Sequence, residues 1–288
     1  MNQDLRRYTN ELLKTGGLRA KKKYGQNFLT DESILDGIVE AAGVTKKDAV
    51  LEIGPGTGNL TERLCEAADR VLAIEIDSDM AAILDKRLYD IDNLTVEVGD
   101  ILEIDPRKIA DFAGEDPLKV VANLPYYITT PILMYLIESE LWQHIDSITV
   151  MVQREVAQRL ISDCGCKDYG AITVAVQYRC EVSIALEVPP EAFIPPPGVD
   201  SAVVVLKKRG TPPVALDSAG ESRFFKVVKA AFAMRRKTLT NALAHAGYAG
   251  GDKAAIEAAI TGSGLKPNVR GEELSIEQFA ALSDRLSK

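Results

Sequence analysis

Ala49-Val50-Leu51-Glu52-Ile53-Gly54-Pro55-Gly56-Thr57-Gly58 is the stretch that decides the fold. Its first five residues, apolar except for Glu52, read as a buried strand, and three glycines at alternate positions then turn the chain. Leu60, Leu64 and Ala67 follow at helical spacing. A strand, a glycine-rich turn and a helix in that order open a parallel α/β sheet. Upstream, residues 31–43 predict a helix capped by Thr30 or Asp31 and stopped by Gly43. Downstream, Arg70 to Glu75, Leu94 to Asp100, Lys119 to Asn123 and Ser147 to Val152 read as further strands, with a helix over Met80 to Leu88. Strand and helix alternating through short connections predict a doubly wound sheet.

The pattern changes after Tyr178. Cys180 to Val188 and Ser201 to Leu206 are strand-like runs joined by a Pro-rich loop, which predicts an antiparallel pair closing one edge of the sheet. Gly210-Thr211-Pro212-Pro213 interrupts the chain, and from Glu221 the sequence is helical, with Ala-rich stretches at 229–246 and 253–260 and a last helix near 275–286. The expected organisation is a Rossmann-like α/β domain over residues 1–209, opening with a polar, basic arm at 1–24 that carries some helix. A smaller helical domain over 210–288 follows.

At 288 residues, 46% hydrophobic and 26% charged, the chain has the composition of a globular protein with a sizeable core. It holds no run of eighteen apolar residues, and the N-terminus lacks the apolar segment of a secretory signal. A cytoplasmic monomer is expected, with no membrane and no metal. Cys164-Gly165-Cys166 has too short a spacing for a zinc knuckle.

The net charge of −8 is unevenly spread. Residues 1–30 hold seven Lys/Arg against two Asp/Glu, residues 207–240 hold nine against two, and the rest has a net charge of −20. Two basic islands on an acidic body suit a protein that grips a polyanion at chosen places.

The glycine turn marks a site for a nucleoside-bearing cofactor. Glu75, 21 residues after Gly54, ends the second strand, where a carboxylate accepts both ribose hydroxyls. The turn reads G-x-G-x-G, not the dinucleotide spacing G-x-G-x-x-G. Glu52, two residues ahead of it, opposes a pyrophosphate and tolerates the ammonium and sulfonium of S-adenosylmethionine. Asp100 ends the third strand, placed to hold an adenine amino group, with Ile101 beside the ring. Asp100 also suits a turn or a helix cap.

Asn123-Leu124-Pro125-Tyr126 ends the fourth strand beside the same crevice. The exocyclic amine of adenine is a poor nucleophile, because its lone pair is delocalised into the ring. A side-chain amide oxygen and a carbonyl released from the strand ladder can accept its two N–H bonds and aim the lone pair at a methyl group. Pro125 donates no ladder bond, and Tyr126 offers a face for a base.

With these motifs the chain resembles the ribosomal RNA adenine dimethyltransferase family, and most closely its small-subunit branch. The resemblance rests on Lys23-x-Gly25-Gln26-Asn27-Phe28-Leu29, the glycine turn, Glu75-Ile76-Asp77, Gly99-Asp100, Asn123-Leu124-Pro125-Tyr126 and Gln153-Arg154-Glu155-Val156-Ala157. To these are added Phe193-x-Pro195-Pro196-Pro197-x-Val199-Asp200-Ser201-Ala202 and Arg235-Arg236-Lys237-Thr238-Leu239. They run in family order from about residue 20 to the end.

The resemblance implies that Asn27, Leu29, Gly54, Gly56, Glu75, Ile76, Asp100, Ile101 and Asn123 bind S-adenosylmethionine. It implies that Asn123, Leu124, Pro125 and Tyr126 carry the chemistry and that Tyr126 and Phe193 sandwich a flipped adenine. The implied product is N6,N6-dimethyladenosine at two adjacent adenines of a hairpin loop near the 3′ end of small-subunit (16S) rRNA, in the immature 30S particle. Loop adenines suit such a reader, being cheaper to extrude than paired ones. Lys21, Lys22 and Lys23, next to the site, and Arg235, Arg236 and Lys237, on a helix with Lys226 and Lys229, are the expected RNA contacts. The rivals are a large-subunit rRNA methyltransferase of the antibiotic-resistance type, an NAD-dependent oxidoreductase and a non-catalytic RNA-binding assembly factor. The Val199-Asp200-Ser201-Ala202 and Arg235-to-Leu239 segments favour the small-subunit branch over the first.

Overall fold

The quoted strand lies within a seven-stranded sheet and is buried along its whole length. The computed structural model describes residues 2–15, 21 and 24–286. In chain order its main elements are α1 (Asn2–Thr15), β1 (Phe28–Leu29), α2 (Glu32–Ala42), β2 (Ala49–Ile53), α3 (Asn59–Ala67), β3 (Arg70–Glu75), α4 (Ser78–Arg87), β4 (Leu94–Val98), α5 (Pro106–Ala113), β5 (Leu118–Asn123) and α6 (Thr129–Glu138). There follow β6 (Ile145–Gln153), α7 (Arg154–Ile161), α8 (Ala171–Arg179), β7 (Cys180–Val188), β8 (Phe193–Ile194), β9 (Ser201–Lys208), α9 (Ser218–Ala233), α10 (Leu239–His245), α11 (Lys253–Gly262) and α12 (Ile276–Arg285). No helix among the described residues is long and apolar enough to cross a membrane.

The strand order is β4-β3-β2-β5-β6-β9-β7. From β4 to β6 all neighbours run parallel, while β9 runs antiparallel to β6, with Gln153 opposite Ser201. The two strands expected at one edge are there, β7 outside β9. Because the chain builds outward from β2 through β3 to β4 and then returns to β5, the order reverses between β2 and β5. Crevices for ligands form at such a switch, beyond the carboxyl ends of the strands.

Local chemistry places the elements around that point. Asp31 caps α2 by accepting the N–H groups of Ser33 and Ile34, and Gly43 ends it in the left-handed region that glycine tolerates. Leu35, Ile38 and Ala42 bury one face of α2 in the cluster that holds Val50, Leu64 and Val121. β1 and β8 form a separate antiparallel pair with Leu29 opposite Phe193.

The chain divides into two compact units, Met1–Ala157 with Glu181–Lys208, and Gln158–Cys180 with Arg209–Lys288. The break expected at residue 210 has a counterpart at Arg209, but the helical unit also takes in 158–180. The reason is apolar. Val174 and Tyr178 of α8 belong to the core of Phe224, Val227 and Phe279, and the Tyr178 and Phe224 rings lie 5.2 Å apart. In the sequence α8 runs directly into β7, which hides the change of core.

One expectation about this unit is corrected. Arg235, Arg236 and Lys237 lie in the turn between α9 and α10, not on a helix with Lys226 and Lys229. The buried stripe of α9 runs through Phe224, Val228 and Ala231, so another turn of helix would carry Arg235 onto the core face. The chain leaves the helix instead, and Leu239 donates its N–H to the Val269 carbonyl at 2.8 Å.

Candidate active site

The carboxyl ends of β2, β3 and β5 converge on a cleft of about 770 Å³, counted to its open mouth. Asn27, Leu29, Gly54, Gly56, Glu75, Ile76, Asn123, Leu124, Pro125 and Tyr126, separated by up to about a hundred residues of sequence, all line it. At Gly54, φ is +70° and a Cβ would point into open space with nothing within 4 Å, so the backbone here faces room for a ligand. At Gly56 a Cβ would stand 3.1 Å from the Phe28 ring, which rests on that residue.

Glu75 organises the turn. It is buried, and its two oxygens accept the N–H groups of Gly56 at 3.0 Å and Asp77 at 2.9 Å. Burial raises its pKa, and these two N–H bonds oppose the rise.

Glu52 is buried on β2, and its Oε2 has no hydrogen-bond partner among the described residues. Burial pushes its carboxyl up to about 8, and the nearby Glu75 carboxylate adds to the rise. Among the described residues, none that lines the cleft is basic. Two buried carboxyl groups, with no cation beside them among the described residues, suit a positively charged ligand, whose charge favours their ionised form, and oppose a pyrophosphate, which wants N–H donors and positive potential.

At the end of β5 the ladder stops in two steps. Leu124 still donates its N–H to the Met151 carbonyl at 3.2 Å, and Pro125 has none to donate. The Asn123 side chain donates Nδ2–H to the Asn27 carbonyl at 3.0 Å, which assigns Oδ1 as the free acceptor. Tyr126 is half-buried, and its hydroxyl shares a 2.6 Å hydrogen bond with the Ser201 hydroxyl at the start of β9. Arg154 pairs with Asp200 at 3.7 Å, and its N–H donates to the Asp200 carbonyl at 3.0 Å. Two sequence motifs, one at 153–157 and one at 199–202, thus meet behind the tyrosine.

Several expected site residues are held in other ways. Phe193 is fully buried among Leu29, Leu35 and Ile38 and is not among the residues that line the cleft, whereas Tyr126 is. The β1–β8 pairing sets Phe193 beside Leu29 and turns its ring into the core. Asp100 and Ile101 are not lining residues either. β4 ends at Val98, and Asp100 holds the following turn, its Oδ1 accepting the Leu102 N–H at 3.0 Å. Lys21 is paired within the chain. Its ammonium bridges Asp77 and Asp79 at 2.7 Å each, which raises its pKa further. Lys22 and Lys23 lie outside the described residues. In the helical unit Arg235, Arg236 and Lys237 are exposed. Arg235 also donates to the carbonyls of Lys167 and Tyr169 and lies 4.0 Å from Glu272.

Among the lining residues not singled out from sequence are Tyr24, Gln26, Phe28 and Asn59. Three of them fall in or beside the 23–29 motif, whose length could have flagged them. Asn59 follows the last glycine of the turn and donates to the Leu29 carbonyl at 2.8 Å. No spacing rule announces that contact.

The sequence profile of the family described as ribosomal RNA adenine dimethylase matches residues 17–288. The chain is 48% identical over 281 residues to a ribosomal RNA small subunit methyltransferase A of Streptococcus sanguinis, covering 96% of each. It is 47% identical over 291 residues to the protein of the same name from Bacillus licheniformis, covering 99% of this chain and 98% of that one. Among solved structures, a dimethyladenosine transferase of Plasmodium falciparum superposes with a TM-score of 0.71 at 27% identity over 88% of this chain and 95% of that one. The 23S rRNA methyltransferase ErmE superposes with a TM-score of 0.67 at 29% identity, over 91% of this chain and all of that one.

Proposed function

The chain belongs to the ribosomal RNA adenine dimethylase family, and from that premise we propose that it dimethylates N6 of two adjacent adenines in a hairpin loop near the 3′ end of small-subunit rRNA, with S-adenosylmethionine as methyl donor and the immature 30S particle as substrate. One observation carries the choice of donor: a cleft with two buried carboxyl groups, an unpartnered Glu52 oxygen and, among the described residues, no basic lining residue. S-adenosylmethionine supplies an electrophilic methyl group on a sulfonium. Glu52 would face its positive charge, Glu75 its ribose, and the Gly54 backbone would pass close against it.

The residues at the end of β5 act on the nucleophile. Asn123 Oδ1 and the Leu124 carbonyl would accept the two N6–H bonds of the target adenine. That draws the nitrogen toward a pyramidal shape and turns its lone pair into the cleft. Positive charge grows on the nitrogen during attack, so both hydrogen bonds strengthen in the transition state. The methylated ammonium is then acidic enough to lose its proton to water, and Asn123 need not act as a base. Tyr126 would stack the extruded base, its ring held by Ser201. Arg235, Arg236, Lys237, Lys226 and Lys229 would meet phosphates.

The test is methyl transfer from labelled S-adenosylmethionine to immature 30S particles, with digestion of the RNA and separation of the nucleosides. N6,N6-dimethyladenosine from the 3′-end hairpin is expected. Label outside that hairpin and none within it, or no label with a cofactor that binds, would overturn the reading.

A further inference from the structure

α1 ends at Thr15, ahead of the span matched by the family profile, yet it packs against the cofactor cleft from behind. Three contacts converge on residues that line that cleft. Leu13 of α1 forms a small buried cluster with Phe28 and Met80. Phe28 in turn rests against Gly56, whose N–H holds Glu75. Thr9 is fully buried and accepts from Asn59 Nδ2 at 3.2 Å, the same nitrogen that donates to the Leu29 carbonyl. Arg87 stacks on the Tyr8 ring at 5.2 Å and donates to the Asn59 side chain at 2.8 Å. Arg6 donates to the Glu191 carbonyl at 2.7 Å, beside the β1–β8 pair.

We infer that α1 is a positioning element of the cofactor site: Leu13 and Thr9 hold Phe28, Asn59 and the 28–29 strand in the shape that closes over the nucleoside part of the cofactor. The inference rests on the proposed use of S-adenosylmethionine. It gives the first fifteen residues a role that their sequence leaves open, apart from the RNA contact expected of Lys21, Lys22 and Lys23. The ring of Phe28 is clamped between Leu13 and Met80 on one side and the Gly56 backbone on the other. Without Leu13 the ring gains freedom, and the cofactor would have to order it on binding. Loss of Thr9's oxygen removes one of the two acceptors of Asn59 Nδ2 and loosens the link to Leu29.

The experiment uses the full chain with Leu13→Ala, Leu13→Met and Thr9→Val. The readouts are S-adenosylmethionine affinity by calorimetry, melting temperature, and single-turnover methylation of 30S particles at saturating cofactor. Leu13→Ala should raise the cofactor Kd about tenfold, within the range of couplings carried through packed side chains. Saturated turnover and particle affinity should stay unchanged, and Leu13→Met, which keeps the volume, should restore most of the affinity. Thr9→Val keeps the shape and should raise the Kd about 2- to 13-fold, as for one neutral hydrogen bond; it serves where Leu13→Ala does not fold. Leu243→Ala, in the helical core, controls for stability and should lower the melting temperature without changing the Kd. If wild type binds S-adenosylmethionine and both α1 variants bind it equally well, or lose only particle affinity, the inference is overturned. Failure of wild type to bind it would instead sink the proposed function.

Discussion

Replacing Asn123 by Ala separates two jobs that its amide does at opposite ends. Nδ2 donates to the Asn27 carbonyl at 3.0 Å, a neutral bond that tethers the segment lining the cleft. Losing it should cost about 0.5–1.5 kcal/mol, seen as a cofactor Kd raised about 2- to 13-fold. Oδ1 is the acceptor for the adenine amine. Its loss removes a contact that strengthens as charge develops, and preorganised groups of that kind are worth about 10²–10³ in turnover. Asn123→Ala should therefore lower single-turnover dimethylation by about 10²-fold or more at saturating cofactor, with binding of 30S particles near wild type. Asn123→Asp sharpens the point. It keeps an acceptor but sets a carboxylate oxygen against the Asn27 carbonyl, so it should damage cofactor binding more than Ala does. The assay is dimethyladenosine formed per bound particle in the first turnover. Near-normal formation by Asn123→Ala would refute the role of the amide oxygen, whatever the substrate.

The Glu52 carboxyl, held near 8 by burial, should lose its proton when a cation enters the cleft. Cofactor affinity should fall as pH drops below about 8, with proton release visible as a buffer-dependent binding enthalpy; an enthalpy independent of buffer would rule this out. The sign for stability is opposite. A carboxyl whose pKa rises from 4.5 to about 8 on folding costs stability as pH climbs through that window, so Glu52→Gln should raise the melting temperature of the ligand-free chain at pH 8 while weakening the cofactor. Tyr126→Ala should lose a stacking face worth about 1–3 kcal/mol in capture of the target base. Tyr126→Phe should keep the stacking but leave the buried Ser201 hydroxyl unpaired, at a cost of about 1–3 kcal/mol in thermal stability; equal capture by Tyr126→Ala and wild type would remove the tyrosine from the site. Alanine at Arg235, Arg236 and Lys237 should flatten the salt dependence of particle binding by a slope of about 2–3, with cofactor affinity unchanged, and an unaltered slope would place the RNA grip elsewhere.

Much of this protein is written in local chemistry. The alternation of apolar runs with glycine turns makes β2, β3 and β5 strands of a parallel sheet, and a switch in strand order brings their carboxyl ends together. Gly54, Glu75 and Asn123 could therefore be assigned to one site from sequence, because strand ends in such a sheet have only one place to converge. Side-chain direction and pairing are another matter, since they depend on which distant segment arrives opposite. Phe193 had the composition of a base-stacking residue, and its pairing with Leu29 turned it into core. Lys21 had the charge for RNA, and its pairing with Asp77 and Asp79, more than fifty residues on, shows only in the folded chain. The Arg235 turn breaks a helix that its local sequence would continue, because the face beneath it is buried. Periodicity and spacing specify elements and strand ends within a few residues, whereas burial and charge pairing are settled only when the whole chain has closed around them.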